Sequence, residues 1–317
     1  MSTPIRIASA ALSAEISPIG AELQRLTASD GRELLWDGDP AFWSGRAPIL
    51  FPIVGTVSDD HYRCGGQSYA LPRHGFARRR TFSLIEHRSD SATLRLESDD
   101  QTRALWPFAF CLDMIFAIDG GRLMMTGRVT NHSDRPMPTS FGFHPALRWP
   151  LPGGGGRADH VILFDQAEPG AVRRLDSAGL LDPAPRPSPV DGNRLALSDD
   201  LFVEDALIFE SMASRRLVYG VPGARQIAVD YPGMPSLGLW TKPGAGYLCI
   251  EPWQGYSDPA GFEGDITDKP GAVPIAPGAT RDFMMGITHS IEWRAQNGHA
   301  RRPKGSEHRA CGTASAA

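Results

Sequence analysis

Apolar residues in this chain recur at every second position, in short runs broken by Gly, Pro and Asp. Leu112, Met114, Phe116 and Ile118 alternate up to Asp119-Gly120-Gly121, and Leu123, Met125, Gly127 and Val129 alternate after it. Two period-two runs around a Gly-containing turn predict a β-hairpin. The same period marks Ala92, Leu94 and Leu96, and later Phe283, Met285, Ile287, His289 and Ile291. Leu217-Val218-Tyr219 and Ile227-Ala228-Val229 form another strand pair around Val221-Pro222-Gly223, and Leu23 to Trp36 holds two short apolar pieces around Ser29-Asp30-Gly31. A short helix is predicted from Asp100 to Trp106, stopped by Pro107, and no long segment carries helical periodicity. Many short strands separated by turn residues predict an all-β, antiparallel sandwich or barrel. The Pro- and Gly-rich stretch from Pro150 to Gly192 reads as an ordered excursion or a flexible loop within one domain, because strands of the same kind flank it.

Composition narrows the function. Lys plus Arg is 32 against 36 for Asp plus Glu, a formal net charge of −4. A mildly acidic chain lacks the basic surface that phosphate backbones require, so no nucleic-acid partner is expected. No run approaches the 18 or so apolar residues of a membrane span, so no membrane partner is expected either. Met1 to Ala10 has no apolar core of a secretory signal. Cys64, Cys111, Cys249 and Cys311 are far apart, which predicts a reduced, cytoplasmic protein with no CxxC pair. Residues 295–317 contain no Ile, Leu, Val or aromatic residue and carry Arg301, Arg302, Lys304 and Arg309 against Glu307. Such a stretch cannot offset its ordering entropy, and it is expected to be a disordered C-terminal tail after a folded unit of residues 1–294.

Three segments combine turn residues, aromatics and ionisable groups. They are Pro48 to Gly55 with Leu71 to Arg78, Asn131 to Pro145, and Tyr247 to Asp258. In the last, Tyr247, Cys249 and Glu251 share one strand face and Leu248 and Ile250 the other. A carboxylate closing such a run is either desolvated and functional or an ordinary glutamate at a strand end. Trp253 and Tyr256 follow, and aromatic faces stack on the C–H faces of a sugar ring. His74 and His144 each sit among glycines and aromatics, a setting that suits structural histidines as well as functional ones. His61, His74, His132 and His144 have no metal-ligand spacing, so no metal site is expected. Asp205 lies in an apolar stretch, where an acid either needs a partner or holds a turn. Gly153 to Gly156 lacks the Lys-Ser/Thr of a nucleotide loop.

Read together, the segments APILFPIVG, LPRHGFAR, SFGFHPAL, EDALIF and CIEPWQGYSD stand in the order found in the aldose 1-epimerase (galactose mutarotase-like) family. The chain resembles the LacX-like branch of that family from about residue 5 to residue 292. The resemblance implies a single-domain antiparallel β-sandwich of the galactose mutarotase-like supersandwich type. It implies that His144 is the general acid on the ring oxygen and Glu251 the general base on the anomeric hydroxyl. It implies substrate binding by His74 and Asp205. Galactose mutarotases carry an Asn-Arg pair where this chain has Gly55-Thr56, so Arg46 or Arg78 is expected to supply the charge, with Trp253 lining the sugar site. The implied reaction opens and recloses the hemiacetal of a free hexose, with one acid, one base and no cofactor. A glucose-6-phosphate 1-epimerase and a non-catalytic carbohydrate-binding protein are the alternatives. The sequence leaves a monomer and a homodimer equally open.

Overall fold

The computed structural model describes residues 3–291. The expected tail, together with Cys311, lies outside the described residues. Two antiparallel sheets stack to form the body. The larger has nine strands in the order Arg194–Ala196, Val161–Phe164, Arg216–Gly220, Gln226–Asp230, Thr280–Ile291, Arg122–Asn131, Phe110–Asp119, Ser91–Glu97 and Ser83–His87. The second runs Leu207–Phe209, Ser236–Trp240, Tyr247–Gln254, Phe141–Phe143 and Ile49–Leu50, with Ala146–Arg148 also paired to Tyr247–Gln254. A smaller sheet of Ile5–Ala8, Leu12–Ser17 and Glu22–Ala28 packs into the same core.

The predicted hairpin is present, with Ile118 opposite Leu123 and Leu112 opposite Val129. Its alternation has a simple cause: Leu112, Met114, Phe116, Leu123, Met125 and Val129 face the core, each at most 3 % exposed, while the residues between them face outward. The strand pair Arg216–Gly220 and Gln226–Asp230 also forms as expected. The helix is Asp100–Leu105; Asp99 accepts from the Thr102 amide, and the Thr102 hydroxyl accepts from the Asp99 amide. This reciprocal cap satisfies two of the free amides at the helix start. The excursion from Pro150 to Gly192 is tied into the fold. It contributes the strand Val161–Phe164 to the larger sheet, and further along Leu181 donates its amide to the Asp258 carbonyl.

The second sheet differs from the first in being covered on both faces. All eight residues of Tyr247–Gln254 are buried. Leu248 and Ile250 join the main core between the sheets, where Phe141 stacks on Phe283 of the opposite sheet at 5.0 Å and 6°. Tyr247, Cys249, Glu251 and Trp253 point the other way, into smaller apolar clusters that line a cavity. Strands buried on both faces read as unbroken apolar runs, which is why this sheet shows little alternation in the sequence.

Candidate active site

The cavity of about 240 Å³ is walled by Trp43, Trp240, Trp253, Leu175 and Ile208, with His74, His144, Glu251, Asp205, Arg73 and Arg78 converging on it. That volume lies just below the roughly 300–1,000 Å³ of pockets for larger ligands, and suits one small molecule. A second, larger hollow of about 640 Å³ lies beside His61, Arg63 and Phe262. Its one buried carboxylate, Asp258, is already held by the Lys269 ammonium and the Ser58 amide.

Strand register explains how His144 meets Glu251. Phe141 pairs with Gln254 and Gly142 with Trp253; past the break, Ala146 pairs with Cys249 and Leu147 with Leu248. Both halves keep one register, which carried across the break sets residue 144 opposite residue 251. Side chains directly opposite across an antiparallel pair are immediate neighbours. His144 Nε2 accordingly lies 3.1 Å from Glu251 Oε2. Glu251 is 1 % exposed, so it is not an ordinary strand-end glutamate. Burial pushes its carboxyl well above the usual carboxylate range, Asp205 adds to the rise, and Arg73 opposes it. Burial also pushes the His144 imidazole down, and Arg78 and Arg73 add to that effect. Each group is thereby biased toward its neutral form.

His74 is set by its backbone. It adopts a left-handed conformation with φ of 65° and donates its amide to the Gly55 carbonyl at 2.7 Å. Gly55 returns its own amide to His74 Nδ1 at 3.0 Å. With Nδ1 accepting, the proton of the neutral ring sits on Nε2, available as a donor. Burial and the neighbouring His144 hold this ring neutral well below the usual range. The following Gly75 cannot be replaced, because a Cβ there would lie 2.2 Å from the Phe51 carbonyl oxygen.

Trp253 fits because its neighbours have no side chains. A Cβ on Gly238 would approach its indole to 2.4 Å, and one on Gly142 to 2.7 Å. Asp205 stands in a turn at the cavity wall. It has φ of 65°, donates its amide to the Phe202 carbonyl, and is exposed at the cavity wall.

The expected arginines divide. Arg78 lines the cavity, donates to the Arg73 carbonyl at 2.9 Å, and has a buried Nε with no hydrogen-bond partner among the described residues. Burial lowers its pKa to about 10, with Arg79 and Arg73 adding to the effect. Arg46 does not reach the cavity. Its guanidinium donates to the Gln24 carbonyl and its amide to Glu22, so it fastens the segment before Ile49–Leu50 to the small sheet. Arg73 stands at the cavity instead. Among the described residues neither Arg73 nor Arg78 has a carboxylate within ion-pair distance. Sequence reasoning also missed Trp43 and Trp240, whose rings lie 5.0 Å and 5.9 Å from His144. Trp43 sits in an irregular segment with no period to betray it.

The aldose 1-epimerase family profile matches residues 4–272. The chain belongs to the aldose 1-epimerase family. It is 29 % identical over 287 residues to the protein LacX of Lactococcus lactis, covering 87 % of this chain and 96 % of that one. A galactose mutarotase related enzyme from Lactobacillus acidophilus superposes with a TM-score of 0.83 at 29 % identity, over 92 % of this chain and 98 % of the other. A galactose mutarotase-like protein from Lactobacillus casei gives 0.84 at 28 % identity, over 90 % and 100 %. The galactose mutarotase-like sandwich expected from the sequence is thus the fold of this member too. Among the described residues, no helix is long and apolar enough to cross a membrane.

Proposed function

We propose that this protein is an aldose 1-epimerase that interconverts the α and β anomers of a hexose. One observation carries the reading. A buried acid–base pair with 3.1 Å between its atoms stands on a cavity sized for one small molecule. A hemiacetal carbon bears two oxygens, the ring O5 and the anomeric O1, and anomer exchange moves one proton off O1 and one onto O5. Two adjacent proton-transfer groups match two oxygens on one carbon.

In this reading Glu251 takes the O1 proton while His144 gives one to O5, and the ring opens. The site then holds a protonated carboxyl and a neutral imidazole, the forms that burial favours. Rotation about the C1–C2 bond presents the other face of the aldehyde. Closure returns a proton from Glu251 to O1 and the O5 proton to His144. The pair carries one proton throughout, and its two tautomers are the two halves of the cycle. Each positioned group contributes roughly 10²–10⁴-fold. His74 Nε2–H donates to a sugar hydroxyl, Asp205 accepts from one, and Trp253 packs against the ring. No cofactor takes part. The three described cysteines are unpaired and buried, which suits the reducing cytoplasm where we place the enzyme.

A second reading keeps the chemistry and changes the substrate. Arg73 and Arg78 bring positive charge to the cavity without a carboxylate partner among the described residues, and guanidinium groups suit phosphate oxygens. That favours a phosphorylated aldose. NMR exchange spectroscopy of α and β anomers, over free and phosphorylated aldoses, tests both. Exchange on free hexoses supports the first reading. Exchange far faster on a 6-phosphate, with the preference erased in Arg78→Ala, replaces it with the second. Tight sugar binding without exchange marks a carbohydrate-binding protein and overturns both.

A further inference from the structure

Cys249 is left unused by this chemistry, and its position is unusual. It lies two residues before Glu251 on the same face of Tyr247–Gln254, opposite Ala146 on one side and Trp240 on the other. It is fully buried. One ligand atom each from His144, Cys249 and Glu251 lies within 4.8 Å of the other two. Two of these groups also have unspent bonding capacity. His144 Nδ1 and Glu251 Oε2 are buried without a well-aligned hydrogen bond to the protein.

We propose that Cys249, His144 and Glu251 form a site for a soft divalent cation such as Zn²⁺, and that its occupancy silences the acid–base pair. Sulfur, imidazole and carboxylate ligands together suit zinc or cadmium and disfavour magnesium or calcium. Zinc bonds of roughly 2.0–2.3 Å set tetrahedral ligands roughly 3.3–3.8 Å apart, so groups that already lie within 4.8 Å of one another need shift by at most about 1–1.5 Å. His144 and Glu251 line the cavity, which gives a cation a route to the three ligands. On binding, a Zn–S bond forms and the S–H bond breaks, with the proton released to solvent. The Glu251 carboxyl gives up its proton in the same way, and no group is oxidised or reduced. Capture of the metal does not depend on the epimerase reading, whereas the inhibition rests on it.

Titrating the full-length protein with Co²⁺ and with Zn²⁺ tests the site. With Co²⁺ the wild type is expected to show a thiolate-to-metal charge-transfer band with the strong visible bands of a tetrahedral centre. Cys249→Ser should lose the charge-transfer band and bind Zn²⁺ about 100-fold or more weakly. Zn²⁺ should stop anomer exchange in the wild type, while Cys249→Ser keeps metal-free exchange and resists the same Zn²⁺ concentration. Should the serine variant fail to fold, Cys249→Ala, a small residue beside Ala146, carries the same readout. A charge-transfer band that survives in the variant, or equal Zn²⁺ affinity in both proteins, overturns the proposal. Loss of the band on substitution in a protein that exchanges no anomers supports the metal site and overturns the epimerase reading instead.

Discussion

On the outer face of the nine-stranded sheet, charges meet across neighbouring strands. Arg95 grips Asp113 through two hydrogen bonds, Arg128 grips Asp282 in the same way, and Arg216 reaches Asp230. On the cavity side of the inner sheet the pattern reverses. Among the described residues Arg73 and Arg78 have no carboxylate within ion-pair distance, and Glu251 is buried with the His144 imidazole 3.1 Å away. Matched charges on a wet surface hold strands together at little cost. At the cavity Glu251 is buried and Arg78 half-buried while Arg73 is exposed at its wall, and ionisable groups held there without an ion-pair partner persist where a ligand or a reaction uses them.

The core that both sheets share gives the largest expected effect. Phe141 is fully buried and stacked on Phe283. Phe141→Ala should lower stability by about 3–5 kcal/mol, through lost burial and the cavity left behind. Urea unfolding measures this, and a loss under about 1 kcal/mol would show that the sheets do not depend on that contact.

The cavity should respond in the opposite sense. Glu251→Gln is expected to slow anomer exchange by about 10²-fold or more, equivalent to roughly 2.7 kcal/mol of barrier at 1.36 per tenfold. Its effect on stability has a definite sign. The folded pKa of Glu251 lies above its unfolded value, so the folded state holds a proton that the unfolded chain releases. Stability therefore falls as pH rises from the ordinary carboxylate range toward the raised value. The neutral amide removes that dependence, and the variant should melt higher than wild type at alkaline pH. A variant that melts lower there, yet exchanges anomers at the wild-type rate, would contradict both the burial and the role.

The two regions were unequally legible in the sequence. Alternation exposed the outer hairpin because one of its faces meets the core and the other meets water. Tyr247–Gln254 has no wet face, and its one charged residue is Glu251. The family motifs supplied His144, His74 and Glu251. What made His144 and Glu251 a pair is the shared register of Phe141–Phe143 and Ala146–Arg148, which is a property of strand pairing. Arg46 was misplaced because nearness in sequence to Ile49–Leu50 does not say which way a side chain turns. It turns to Gln24, and Arg73 occupies the cavity. Trp43 and Trp240 were invisible because nothing local distinguishes a cavity wall from core.

The pH profile sharpens the contrast at a smaller scale. A free histidine titrates near 6.5. His144 is pushed below that value and Glu251 above its own, so the pair should keep its single proton across the neutral range. Exchange should fall on the acid side, when a second proton is added, and on the alkaline side, when the single proton leaves. Between them kcat/KM should be flat through about pH 6.5. An inflection there would show a solvent-exposed imidazole in place of a buried pair.

The smallest effect is expected where the charges are best matched. Arg128 and Asp282 face each other across Arg122–Asn131 and Thr280–Ile291, with N–O distances of 2.9 Å for both bonds. The geometry is bidentate, yet the side chains are 48 % and 32 % exposed. Water already solvates both groups, so the hydrogen bonds formed replace hydrogen bonds lost, and salt screens what attraction remains. A double-mutant cycle of Arg128→Ala and Asp282→Ala should therefore give a coupling of only about 0.2–1 kcal/mol, shrinking as salt is added. The same exposure leaves anomer exchange untouched, because the pair lies on the face of the sheet turned away from the core and the cavity. A coupling well above 1 kcal/mol that ignored salt would mean that this surface is drier than its exposure indicates. The distinction between structural charges outside and functional charges inside would then fail at its simplest point.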